Sequence, residues 1–198
     1  MLSFIFGLIV LFIALAVVII IIYNKLVAAR NAYKNAFSQI DVQLLRRYDL
    51  IPSLLEGVKA YLSHEKETLQ RVVDARNFAQ NKLRDAAQKP GDASMMGQLM
   101  NADLALNSAI GRLLAVVEAY PDLKADGTIK QFNEDLSSTE NRIAFARQAY
   151  NDEVMTFNTL AEMFPNNIVA QTFGFKQATL FESTSIQRTR PDVNYNKE

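Results

Sequence analysis

From Phe132 to Phe164 the chain reads FNEDLSSTENRIAFARQAYNDEVMTFNTLAEMF, and this stretch decides the fold. Phe132, Leu136, Thr139, Ile143, Ala146, Tyr150, Val154, Phe157, Ala161 and Phe164 follow one another at steps of three and four. Such steps put all ten on one stripe of an α-helix; a half-buried strand would alternate at every second residue. Pro165 closes the segment, since it cannot continue a helix. A helix with one apolar stripe must bury that stripe against others, and the chain upstream supplies three.

The third helix is expected from about Ala93 to Tyr120, with Leu99, Leu106, Ile110, Leu113, Leu114 and Val117 inward; Pro121 stops it and Asp126-Gly127 completes the connection. A second, from about Leu50 to Gln88, carries Leu55, Val58, Leu62, Leu69, Val72, Val73, Leu83 and Ala86, and Lys89-Pro90-Gly91-Asp92 ends it. The first carries Leu26, Tyr33, Phe37, Ile40 and Leu44. Between these two, Asp49-Leu50-Ile51-Pro52 reads as a turn and restart, because aspartate caps exposed N–H groups and proline suits a first helical turn. The fold expected is all-α: an antiparallel up-down-up-down four-helix bundle over residues 25–164, followed by an irregular tail. Only 7 Gly and 5 Pro in 198 residues fit long uninterrupted elements.

Ahead of the bundle, Phe4 to Tyr23 reads FIFGLIVLFIALAVVIIIIY without a charge. Twenty residues at 1.5 Å each span about 30 Å, the thickness of a bilayer's hydrocarbon core. Residues 1–24 are therefore expected to be a transmembrane anchor. No Lys or Arg precedes the apolar run and its end is bulky, so cleavage by a signal peptidase is not expected. A lipoprotein is excluded by the lack of cysteine. Neither Gly nor Pro occurs from Leu8 to Ile51, so the anchor should continue into the first soluble helix. Lys25, Arg30 and Lys34 follow the span before any acidic residue, which by the positive-inside rule puts the N-terminus outside and the soluble domain in the cytoplasm of a cell (inner) membrane protein; the alternative is a periplasmic soluble domain.

These boundaries raise a length problem. A second helix of about 39 residues would be about 58 Å long, against about 36 Å of first helix beyond the membrane. Either the first helix bends, or the hairpin tip at residues 86–100 projects toward the headgroups. At that tip Met95, Met96, Leu99 and Met100 either fill the bundle end or, beside Lys82, Arg84 and Lys89, meet lipid or a partner. After Pro165 the apolar residues Ile168, Val169, Phe173, Phe175, Leu180 and Phe181 follow no long period, so residues 165–198 form a Phe-rich segment and a polar tail. That segment either wraps the bundle, lies at the lipid interface or meets a neighbouring subunit. Beyond Glu182 disorder is expected, with Pro191-Asp192-Val193-Asn194-Tyr195 able to dock as an extended peptide.

Composition excludes several function classes. With 21 basic and 21 acidic residues the net charge is zero, which removes the general attraction to phosphate on which nucleic-acid binders depend. Without cysteine there is no disulfide framework, thiolate metal site or cysteine nucleophile. His64 is the single histidine, beside Glu65 and Glu67. Bundle di-metal sites take a Glu-x-x-His pair from each of two helices, which one histidine cannot supply. No phosphate-binding glycine loop or nucleophile elbow is present. No catalytic, cofactor-binding or metal residue is assigned, no cofactor is expected, and the chain does not read as an enzyme.

Two polar features stand beside apolar stripes. Asn31, Asn35, Gln39 and Asp41 lie on the first helix; Arg142, Arg147, Asn151 and Asn158 lie on the fourth, where Arg147, Asn151 and Asn158 share a face. If these helices pack together, the groups would form a partly buried network that fixes register; a solvated face and a ligand or partner site are the alternatives. Arg46-Arg47-Tyr48-Asp49 should set the turn, with one arginine paired to a nearby acid.

Asn24-Lys25-Leu26-Val27, Gln39-Ile40-Asp41-Val42-Gln43-Leu44, Arg46-Arg47-Tyr48-Asp49-Leu50-Ile51-Pro52, Val58-Lys59, Tyr61 and His64-Glu65 resemble the N-terminal signature of the LemA family of bacterial membrane proteins. Glu140-Asn141-Arg142-Ile143, Ala146-Arg147-Gln148-Ala149-Tyr150-Asn151, Phe164-Pro165 and Phe173-Gly174-Phe175 resemble its second half. Phe37 stands where that family would have tryptophan, and Ser53 where it would have asparagine. The resemblance implies a single-pass membrane protein with a helical bundle, usually on the cytoplasmic side, and carries over no catalytic residue.

The function expected is a membrane-anchored scaffold or adaptor of the bacterial envelope, homo-oligomeric and able to bind membrane protein partners in the lipid bilayer, with no nucleic acid. A lipid- or small-ligand-binding bundle is the alternative. A hydrolase accessory enzyme would need acidic or histidine groups clustered in a cleft, which the sequence does not offer.

Overall fold

The computed structural model describes residues 1–121, 123 and 127–181. Among these the chain forms five helices and no strand: α1 (Leu2–Lys59), α2 (Lys66–Gln88), α3 (Ala93–Val117), α4 (Gly127–Glu162) and α5 (Asn166–Thr172). The expectations for Asp126 and for the Pro191–Tyr195 peptide fall outside the described residues.

The apolar N-terminal run and the first bundle helix form one continuous helix, as the run without Gly or Pro requires. The expected turn at Asp49–Pro52 is absent: α1 passes through Pro52 and ends at Lys59. A proline inside a helix lacks the N–H that would bond the carbonyl four residues back and tends to break the helix there. Here the carbonyl of Tyr48 accepts instead from Arg76 Nε of α2, at 2.9 Å. A partner from another helix thus satisfies the group that Pro52 orphans. The chain turns through Ala60–Glu65, where Leu62 is fully buried as a plug.

This shift of the turn resolves the length problem. α2 has 23 residues and α3 has 25, so each is about 35 Å long and fits beside α1 without bending it. Their connection bonds back on itself: Asp92 accepts from the backbone N–H of Ser94 and Met95 at 3.0 and 3.1 Å, capping α3. Gly91, at φ +88°, supplies the left-handed turn.

α1 packs along α4 and α2 along α3, closing the antiparallel bundle. Phe37, Ile40, Leu44, Tyr48, Ile51, Leu54 and Val58 of α1 form one wall of the core. Val72, Ala79 and Leu83 of α2, Leu99, Leu106, Ile110 and Leu113 of α3, and Ile143, Tyr150, Val154 and Phe157 of α4 pack against it. At the hairpin tip Met96 is buried, and Met95 and Met100 pack against the core, so these methionines fill the bundle end. A second, smaller core stands apart toward the apolar N-terminal part of α1: Ile22 and Leu26 of α1 against Val169 and Ala170 of α5, flanked by Ile19, Leu160 and Ala161.

Candidate functional site

The polar groups of the two long helices do not meet each other as expected. Asn31, Asn35 and Gln39 are exposed, as is Arg142. Asp41 is half-buried, and that burial raises its carboxyl above the usual aspartate range. His64 is exposed in the α1–α2 turn. Among the described residues no three His, Cys, Asp or Glu side chains group where a metal ion could sit.

Two constellations do form. The first is an ionic network at mid-bundle. Arg47 of α1, fully buried, donates from Nη1 to Asp103 Oδ1 of α3 at 3.0 Å and lies 3.2 Å from Glu140 Oε1 of α4. Its Nη2 donates to Asn107 Oδ1, and Arg147 of α4 donates from Nη2 to the other oxygen of Asp103. Two arginines and two carboxylates balance in charge and join three helices. An ion pair this buried adds little net stability, because desolvation offsets the Coulomb gain; its use is to fix which groups meet. The arginine of the Arg46-Arg47 pair therefore finds its acid on distant helices, while Arg46 is exposed.

Beside this network the hydroxyl of Tyr48 is buried without a hydrogen-bond partner. Burial first, then the negative charge of Asp103, pushes its ionisation well above the ordinary tyrosine range. Tyr150 is raised in the same direction, mainly by burial.

The second constellation holds the tail. Asn158 donates from Nδ2 to the carbonyl of Ala178 and accepts the N–H of the same residue at Oδ1, both at 2.9 Å. Asn151 does the same for Phe181, at 3.3 and 2.8 Å. Each amide thus acts as a short piece of β-strand edge, bonding both polar groups of one backbone unit. Between them Tyr150 OH donates to the carbonyl of Thr179 at 2.8 Å, and the N–H of Thr179 donates to the carbonyl of Gly91 at 2.9 Å. Phe181 is buried under the guanidinium of Arg147, 4.5 Å from its ring centre, so tail and ionic network touch. Of the three places expected for the Phe-rich segment, residues 178–181 take the first and wrap their own bundle. The shared face of Arg147, Asn151 and Asn158 was legible from spacing; its partner, a backbone some 20 to 30 residues onward, was not.

Where the tail leaves α5 it roofs an open cleft of about 430 Å³ between α1 and the α2–α3 turn. Arg30, Lys34, Lys89 and Lys176 line it, with Asp92 the one acid. Arg30 stacks over the ring of Phe175 at 5.1 Å, and its Nε has no hydrogen-bond partner.

The chain matches the LemA family over residues 36–195. It is 28% identical over 171 residues to "Protein LemA" of Metamycoplasma hominis, covering 86% of this chain and 74% of that protein. It is 27% identical over 175 residues to "Magnetosome protein MamQ 2" of Paramagnetospirillum magneticum, covering 81% of this chain and 64% of the relative. "Magnetosome protein MamQ" of Magnetospirillum gryphiswaldense is 25% identical over 174 residues, with 80% and 64% covered. The chain thus spans less than two thirds of the length of these MamQ relatives.

Proposed function

The chain belongs to the LemA family, and from that premise we propose that this membrane-associated protein is a scaffold or adaptor of the bacterial envelope that self-associates or docks partner proteins through its bundle. Its apolar helix would cross the cell membrane once, with the N-terminus outside and the bundle in the cytoplasm, following Lys25, Arg30 and Lys34. The observation that carries the scaffold reading is an outward apolar side chain on a bundle that has already used its own tail to fill its groove. Phe145 of α4 is 73% exposed, midway along the longest bundle helix after α1. Aromatic side chains, phenylalanine among them, are enriched in the cores of protein interfaces relative to the rest of the surface.

The absence of cysteine gives a clean test. A variant of the full chain with Gln148→Cys, an exposed position one turn along α4 that leaves the Phe145 ring in place, oxidised or treated with a short bifunctional thiol–amine crosslinker in native membranes, should give a discrete dimer or a defined adduct. Monomer alone at all crosslinker concentrations would refute the reading.

The basic cleft favours a second reading, a lipid- or small-ligand-binding bundle at the membrane surface. It predicts saturable binding of an anionic ligand by the detergent-solubilised chain, weakened in a Lys89→Gln, Lys176→Gln variant.

A further inference from the structure

α5 packs against α1 at the wrong height to be clear of a bilayer. Its Val169 and Ala170 form a core with Ile22 and Leu26, and Ile19 packs on the same cluster. The apolar run of α1 ends at Tyr23. If that run fills the hydrocarbon core, Ile19 lies about 6 Å inside its boundary, at 1.5 Å per residue. Whatever touches Ile19 and Ile22 sits at the level where acyl chains meet headgroups.

The outward side of this foot carries large apolar side chains beside the polar Gln171 and Thr172. Phe164 is 79% exposed, Ile168 56% and Phe173 54%. Phe173 packs edge-on against Tyr23, centroids 5.0 Å apart, placing two aromatic rings side by side where the span ends. Aromatic residues favour that depth, since their rings tolerate both hydrocarbon and water. Above them stand the basic side chains of the cleft, Arg30, Lys34, Lys89 and Lys176. Arg30 is seven residues beyond Tyr23, hence about 10 Å along the helix, within reach of phosphate groups.

We propose that α5 and its flanking turns are an interfacial foot: Phe164, Ile168 and Phe173 insert into the leaflet from which α1 emerges, and the cleft's basic side chains meet the headgroups of anionic phospholipids. The occupant is argued from continuity, because the foot is built on the last turns of the spanning helix, and from charge, because the groups above it are basic. The foot would fix the tilt of the bundle against the membrane, which a single spanning helix free to tilt does not. This inference rests on the reading that α1 spans the bilayer.

The chain has no tryptophan, so single Phe→Trp variants report on one site each. Full-length Phe164→Trp, Phe173→Trp, Phe145→Trp and Phe12→Trp are reconstituted in phosphatidylcholine vesicles, with and without phosphatidylglycerol, carrying lipids brominated at shallow or deep acyl positions. Phe12→Trp should be quenched most by deep bromines; if it is not, the anchor reading itself fails. Given a quenched Phe12→Trp, quenching of the Phe164→Trp and Phe173→Trp fluorophores by shallow bromines, with blue-shifted emission and stronger quenching in anionic vesicles, supports the foot. Phe145→Trp should stay unquenched. Foot positions as unquenched as Phe145→Trp overturn the proposal, as does quenching that appears only when protein is diluted in lipid, which would mean a second copy covers the foot. Equal quenching in neutral and anionic vesicles overturns the role given to the basic cleft.

Discussion

Replacing Arg76 by methionine keeps most of its volume and removes the donor that serves the Tyr48 carbonyl. That carbonyl belongs to a fully buried residue and, with Pro52 four residues on, has no helical N–H of its own. A buried acceptor left unpaired costs about 1–3 kcal/mol, so Arg76→Met should destabilise the bundle by about 2 kcal/mol. The ion pair from Arg76 to Asp49, 3.9 Å long with the aspartate mostly exposed, adds only a few tenths. The decisive comparison is the Pro52→Ala background. There an N–H returns at position 52 and can bond the Tyr48 carbonyl in the ordinary helical way. Arg76→Met should then cost about 0.5 kcal/mol or less, giving a coupling of about 1.5 kcal/mol in the double-mutant cycle. Unfolding of the four proteins in one mild detergent, followed by circular dichroism at a fixed protein-to-micelle ratio, measures all the corners. Equal cost of Arg76→Met in both backgrounds would refute the claim that this arginine lets α1 pass through its proline.

Tyr48→Phe should stabilise the chain by about 1 kcal/mol at neutral pH, since it removes a buried hydroxyl without a partner. Because burial raises the folded-state ionisation of Tyr48, stability is full below the ordinary tyrosine value of about 10 and falls as pH rises beyond it; the variant should lose part of that alkaline slope, while Tyr150 and Tyr33, raised by burial in the same direction, keep contributing to it. A lower melting point at pH 7 would mean the hydroxyl has a partner. Asn158→Asp keeps an acceptor for the Ala178 N–H but sets a carboxylate oxygen against the Ala178 carbonyl. Hydrogen exchange at Ala178, Thr179 and Phe181 should accelerate by roughly ten- to a hundredfold, matching about 1–3 kcal/mol, while α1 and α4 amides stay protected; unchanged exchange in the tail would show that the amide does not hold it.

What could be read from sequence was what depends on one helix at a time. The stripe from Phe132 to Phe157 faces the core along α4, though its expected end at Phe164 is exposed. Tyr33, Phe37, Ile40 and Leu44 of α1 with Leu99, Leu106, Ile110, Leu113 and Val117 of α3 are buried as their spacing implies, Leu26 joining the smaller core. The α2–α3 turn at Lys89–Asp92 needed only its own Pro, Gly and Asp, and it stands where those residues put it. Pro52 misled because its remedy lies on another helix: local chemistry says break, and only Arg76, 24 residues later, says continue. Arg47 misled in the same way, its acids being Asp103 and Glu140. The faces of Asn151 and Asn158 followed from spacing, yet an amide that bonds a backbone carries no mark of which backbone. α5 escaped notice since seven residues give too few turns for a period to show.

The position of the first turn governs more than helix length. With α1 running to Lys59, α2 returns along it only as far as the α2–α3 turn, where a Cβ on Gly91 would stand 3.2 Å from the ring of Tyr33. Tyr33 is ten residues past Tyr23, so the turn hangs about 15 Å above the end of the apolar run. Below that height the four-helix core has ended; α1, the end of α4 and α5 continue alone, held by the small cluster of Ile22, Leu26, Val169 and Ala170. Even with Ile19, Leu160, Ala161 and Phe175 packed around it, this cluster buries less apolar area than the main core, and apolar burial is what offsets the entropy of ordering a backbone. The strap of residues 178–181 supplies part of the difference from above, by fixing the chain that leaves α5 to Asn158 and Asn151. The exposed rings of Phe164 and Phe173 are placed for lipid to supply the rest from below.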